Sequence, residues 1–273
     1  MKSIRFIVYS NILVSLSAAS MSYAFCVQQD IENAFYYALF VFSATLLTYN
    51  AQRIIKRSQD KKEWDTGRLL WLKQHSKLLY ILSILSSILC LIIYFQHLYH
   101  LHSFIFLIPL AFISIFYALK LGNLKNLREI PHVKIHLIAL VWVSSTCIFP
   151  ALNEELLSWN SFLFGAAFYL YILAITVPFD IRDLNYDDPN SKTVPQVFGI
   201  DLAKKIALIT LISSACIFSY LSTNLLQQSL LTIALIYQAV LIQLTTKNKP
   251  ELFYSGLIDG GIILLAISFC SVP

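Results

Sequence analysis

Charge is what this chain has least of: 13% of its 273 residues are Asp, Glu, Lys or Arg, against 58% hydrophobic residues. That balance excludes an ordinary water-soluble domain, whose surface is far richer in charge. Glycine (7) and proline (8) are also scarce, so the chain is neither collagen-like nor a low-complexity polymer. The cysteines Cys26, Cys90, Cys147, Cys216 and Cys270 form no C-x-x-C pair and do not cluster with histidine, so no disulfide framework and no zinc site is expected. His97, His100 and His102 lack an acidic partner and read as interfacial turn residues. The formal net charge is +5, yet the basic residues are spread through short connecting segments and form no tract. Nucleic acid is therefore not an expected partner.

What the chain does have is a series of long apolar runs, with a mean hydropathy of +0.68. Runs of about 18 residues or more read as membrane-spanning helices. The expectation is an all-α integral membrane protein in a lipid bilayer, with one polytopic domain over residues 1–273. Its spans fall at about 4–27, 34–50, 78–96, 103–119, 132–149, 162–179, 202–221, 229–244 and 252–270. The loops 51–77, 120–131, 180–201 and 245–251 lie on one side. Ser22-Tyr23-Ala24 loosely imitates a signal-peptide cleavage site, but the length of the first run and the spans that follow favour a transmembrane helix. With nine spans and a cytoplasmic N-terminus, all 20 lysines and arginines fall on the cytoplasmic side, and the C-terminus lies opposite.

The chemistry concentrates in Asp180-Ile-Arg-Asp183-Leu-Asn-Tyr-Asp187-Asp188, directly after the apolar run 162–179. If the helix continues through Asp187, positions 180, 183 and 187 share one face. Unpaired, these carboxylates repel one another, and a hard divalent cation such as Mg2+ relieves that by binding carboxylate and substrate phosphate oxygens together. The alternative is a solvated helix end. Asp259, about seven residues into the last span, is the most deeply placed acid and should face a cavity, pair with a cation or be protonated. Gly260 and Gly261 beside it read as close helix packing.

Asp180 to Asp187 followed by Lys192-Thr193-Val194-Pro195 and Gly199 resembles the second aspartate-rich motif and following loop of the UbiA-type membrane prenyltransferases, and Tyr117-Ala-Leu-Lys120 is similar to the family's Y-x-x-K. The resemblance covers nearly the whole chain. It implies a nine-helix bundle enclosing an apolar cavity open near the cytoplasmic face. The implied activity is transfer of a polyprenyl group from its diphosphate to a hydrophobic, commonly aromatic, acceptor. It also implies Mg2+ on Asp180, Asp183 and Asp187, with Asp183, Lys120 and Asn50 in the catalytic machinery and Tyr117 and Lys192 contacting substrate, while Asp259 is expected in the substrate cavity because of its depth. Phe179 and Tyr169 would help sheath the prenyl chain.

The first aspartate-rich motif departs from the family. Asn50 is kept, but Ala51, Ile54 and Ser58 stand where carboxylates are expected. Arg53, Lys56 and Arg57 are spaced to share a helix face and form a basic clamp on a diphosphate, or else they are ordinary loop charge. The loss makes a non-catalytic lipid-diphosphate-binding relative the alternative to an enzyme. A transporter ranks last, because the acids gather at one face rather than at the midplane.

Overall fold

In lipid, each backbone N–H and C=O must be paired within the protein, and a helix does this within its own segment. Every regular element among the described residues is accordingly helical. The computed structural model describes residues 2–59, 67–117, 119 and 127–270. Helices α1 (Lys2–Tyr9) and α2 (Ile12–Gln28) open the chain and are bent by 66° at a break where Asn11 takes a left-handed φ of 65°. They are followed by α3 (Ala34–Gln59), α4 (Gly67–Gln74), α5 (Ser76–Ile93), α6 (Leu101–Phe116), α7 (Lys134–Val143) and α8 (Phe149–Asn153). The chain then forms α9 (Trp159–Asp183), α10 (Val194–Leu221), α11 (Leu225–Leu244) and α12 (Asp259–Cys270). π-Helical turns extend α5 (Tyr94–Leu98), join α7 to α8 (Ser144–Ile148) and lead into α12 (Phe253–Ile258).

Among the described residues, seven helices are long and apolar enough to cross a membrane, and the bent α1–α2 pair makes an eighth if it is one span. Helix α6 is apolar but shorter, at 16 residues. The helices therefore support a multi-pass membrane protein.

Local structure departs from the sequence reading in three places. The fifth span, expected to end at about 149, continues through Pro150, which sits in the first turn of α8. The wide turn Ser144–Ile148 just before it shifts the hydrogen-bond register, so the missing N–H does not stop the helix. Helix α9 runs on past Phe179 and stops at Asp183, so Asp187 lies beyond its end rather than on its face. Helix α10 starts at Val194, where Gln196 Oε1 accepts from the Thr193 N–H (2.9 Å), and breaks at Gly199 (φ 76°), before the span expected from about 202.

Helix α9 is the most buried span and packs between α10 and α7. Helix α2 packs on α3 and α12, α3 on α5, and α11 on α12. At one end of the bundle Phe164 of α9 meets Phe25 of α2, Phe218 of α10 and Phe269 of α12, with ring centroids 5.0–5.3 Å apart. All four rings are fully buried, and such pairs add about 0.5–1.5 kcal/mol each beyond area burial. This aromatic cluster lies near the start of α9, and charge collects at the helix's other end.

Candidate active site at the charged end

The buried helix α9 delivers Asp180 and Asp183 one turn apart at its C-terminus. Asp180 is 0% exposed, and its Oδ1 lies 2.8 Å from the Nζ of Lys134, the first residue of α7. After Asp183 the chain turns: the Asp183 carbonyl accepts from the N–H groups of Tyr186 and Asp187, both at 2.8 Å. That turn brings Asp187 Oδ2 to 2.6 Å from the same ammonium. One buried lysine thus serves two carboxylates.

Asp183 is engaged separately. Arg182 binds it bidentately through one guanidinium edge, Nε to Oδ1 at 2.7 Å and Nη2 to Oδ2 at 3.0 Å. The guanidinium lies 5.1 and 5.3 Å from the ring centroids of Phe179 and Tyr254, where cation–π attraction helps hold it. Its Nη1 reaches Glu251 at 3.3 Å, and Glu251 also accepts from Arg68 Nη1 at 2.6 Å. Burial would raise the Glu251 carboxyl, but Arg182 and Arg68 outweigh it and hold that group below the usual carboxylate range.

Arg68 comes from α4, outside the spans, yet it is buried. It also donates to Ser255 Oγ (3.0 Å) and to Asn11 Oδ1 (2.8 Å), and Asn11 Nδ2 donates to Asn50 Oδ1 (2.7 Å). The broken joint between α1 and α2 is what turns Asn11 inward to link Arg68 with Asn50. Arg53, one turn after Asn50, is in electrostatic reach of Arg68, Glu251, Arg182 and Asp183. Asp259 is in reach of Arg68, Arg182 and Glu251, and of Tyr49 and Tyr171. Tyr117 is in reach of Lys134 and Tyr49.

The charged end therefore brings together Asn50, Arg53, Tyr117, Asp180, Asp183, Asp187 and Asp259 of the residues singled out from sequence. Lys192 is exposed, at a left-handed turn (φ 46°) before α10. Lys120 lies outside the described residues, as do the side chains of Lys56 and Arg57. Asp187 also lines an open cleft of about 450 Å³ with Leu184, Pro189, Pro195, Gln196, Gly199, Ile200 and Lys247.

No protein-family model and no curated protein matches this sequence. Among solved structures, one described as a UbiA homolog from Archaeoglobus fulgidus bound to DMAPP and Mg2+ matches with a TM-score of 0.55. It does so at 13% identity, covering 99% of this chain and 98% of that one. The chain has a UbiA-like fold. At that identity the likeness concerns the fold alone.

Within this UbiA-like bundle the donor set does not suit a divalent cation. Mg2+ demands near-octahedral oxygen ligands at about 2.0–2.1 Å. Here Asp180 and Asp187 already share Lys134, and Asp183 is held bidentately by Arg182. No group of three His, Cys, Asp or Glu side chains among the described residues is arranged to hold a metal. Each of Asp180, Asp183 and Asp187, expected as ligands, is paired with an internal cation, Lys134 or Arg182.

Sequence reasoning missed Asn11, Arg68, Lys134, Arg182 and Glu251. Two signals were available: Arg182 lies inside the acidic motif itself, and Glu251 is an isolated acid in a basic loop. Nothing local marks Arg68 or Lys134, whose roles depend on which helices meet.

Proposed function

We propose that this protein handles a prenyl diphosphate at the charged end of the bundle and transfers the prenyl group to a hydrophobic acceptor. The observation that carries this reading is the arrangement of Asp180, Asp183 and Asp187 at the end of the most buried helix, paired with Lys134 and Arg182 rather than splayed into solvent, with Arg68 joined to Arg182 through Glu251. The UbiA-like fold supports it, since the protein of that fold was solved with DMAPP and Mg2+ bound.

In this reading the guanidinium groups of Arg53, Arg68 and Arg182 receive the diphosphate. The bond between the allylic carbon and the diphosphate oxygen breaks with its electron pair on the diphosphate, and fixed cations stabilise that developing charge. The allylic carbon then bonds to the acceptor, which loses a proton. Glu251, Asp183 and the aromatic faces of Phe179 and Tyr254 hold the arginines in place before substrate arrives, so little reorganisation is needed during reaction. An apolar chamber among the spans would shield the prenyl chain from water, with Tyr49, Tyr171 and Asp259 along its wall. The charged end faces the cytoplasm, as the distribution of all 20 lysines and arginines favours.

A second reading, binding of a lipid diphosphate without turnover, is favoured by one observation: Ala51 and Ile54 occupy positions where the related motif carries acids. The test is purified protein in lipid nanodiscs given labelled prenyl diphosphates and a lipid extract, with and without Mg2+. Lipid-soluble label with release of diphosphate, abolished by Asp183→Ala, is the expected result. Saturable binding with no product would leave only the second reading. No binding under either condition would defeat both.

A further inference from the structure

Two buried N–H groups at the charged end have no hydrogen-bond partner among the described residues: Nδ2 of Asn50 and Nε of Arg68. Asn50 is fully buried and Arg68 is 6% exposed. An unmade hydrogen bond at such a site costs about 1–3 kcal/mol. Both residues meet Asn11 through other atoms, Asn50 Oδ1 accepting from Asn11 Nδ2 and Arg68 Nη2 donating to Asn11 Oδ1, so the orphaned donors belong to neighbours. Arg53 lies one helical turn beyond Asn50, within reach of the same arginine. Two unpaired donors, one of them on the Arg68 guanidinium, with Arg53 nearby, call for an oxyanion with several lone pairs.

The opposite side of the site has the complementary property. Lys134 Nζ lies between Asp180 and Asp187 at 2.8 and 2.6 Å, and its side chain is 8% exposed. A divalent cation entering there would have to expel the ammonium and leave it buried nearby, where it would repel the metal.

We infer that this chain binds a diphosphate without a metal. Lys134 serves as a built-in counter-cation for Asp180 and Asp187, while Asn50, Arg68 and Arg53 supply the contacts to the anion. The inference rests on the prenyl-diphosphate reading above and goes beyond it by removing the metal from binding. It also gives the lost acids at Ala51 and Ile54 a physical sense. Carboxylates there would repel an anion that no Mg2+ bridges.

The experiment uses the full-length protein in detergent micelles with inorganic pyrophosphate, a prenyl diphosphate, and Mn2+ as a paramagnetic probe. Pyrophosphate should bind in excess EDTA, and Arg68→Gln should weaken that binding by about tenfold or more. Wild-type protein should show no stoichiometric bound Mn2+, whereas Lys134→Met, which frees the two carboxylates, should acquire one. Lys134→Arg keeps the cation, so it should fold and stay free of Mn2+ even if Lys134→Met does not fold. Pyrophosphate binding that requires Mg2+, or one Mn2+ bound to the wild type, overturns the inference. If the prenyl diphosphate binds only with Mg2+, the functional reading survives and this inference falls. If neither anion binds under any condition, both fall.

Discussion

The ion triad of Lys134, Asp180 and Asp187 allows a sharp perturbation. Lys134→Met removes the one cation within ion-pairing distance of Asp180 among the described residues, and the Asp180 carboxylate is 0% exposed. Breaking a buried pair by deleting one partner costs roughly 3–5 kcal/mol, because the remaining charge stays buried without compensation. For a chain of this size that corresponds to a fall in Tm on the order of 10 °C. Asp180→Asn alone should cost less, since Lys134 keeps Asp187 at 2.6 Å. The double variant should then be more stable than Lys134→Met alone, because the stranded carboxylate is gone. Thermal unfolding in detergent, followed by intrinsic fluorescence over the four proteins of the cycle, measures this coupling. Additive effects, or a Lys134→Met protein within about 1 kcal/mol of wild type, would refute the claim that the buried ammonium neutralises Asp180.

Three further outcomes follow from the same geometry. Arg68→Ala removes bonds to Glu251, Ser255 and Asn11, so amide exchange in Gly67–Gln74 should rise by about tenfold or more, and unchanged protection would contradict that anchoring. Glu251 has its carboxyl held below the ordinary value of 4.5, so the stability it contributes is complete above that pH and is lost as pH falls through the lowered folded-state value. Acid melting curves should therefore flatten in Glu251→Gln, and a wild-type acid slope in that variant would count against the pairing. A methyl group at Gly261 would lie 2.2 Å from Gln238 Oε1, so Gly261→Ala should cost about 1–3 kcal/mol and be partly relieved by Gln238→Ala, whereas Gly260→Ala, with open space around it, should be nearly neutral.

The membrane class was legible because runs such as 162–179 leave no other physical option. The acidic motif stood out for a similar reason, as carboxylates are rare in so apolar a chain. Much of the detail at the charged end was not legible. The end of α9 at Asp183 depends on a turn closed by the Asp183 carbonyl, which no spacing rule reveals. Lys134 reads as ordinary loop charge until α7 is packed on α9, and Arg68 reads the same way until α4 folds over the bundle end. The expected Mg2+ on Asp180, Asp183 and Asp187 followed from counting acids along one helix. The structure adds the cations that other helices bring to the same place.

The most direct test of the central claim is equilibrium binding of a labelled prenyl diphosphate, compared with the matching prenyl alcohol, across Arg53→Gln, Arg68→Gln and Arg182→Gln. The charged end should bind the diphosphate far more tightly than the alcohol, and each substitution should weaken the diphosphate by about tenfold or more while leaving the alcohol unchanged. Equal affinity for diphosphate and alcohol, or three variants that bind the diphosphate as the wild type does, would contradict it.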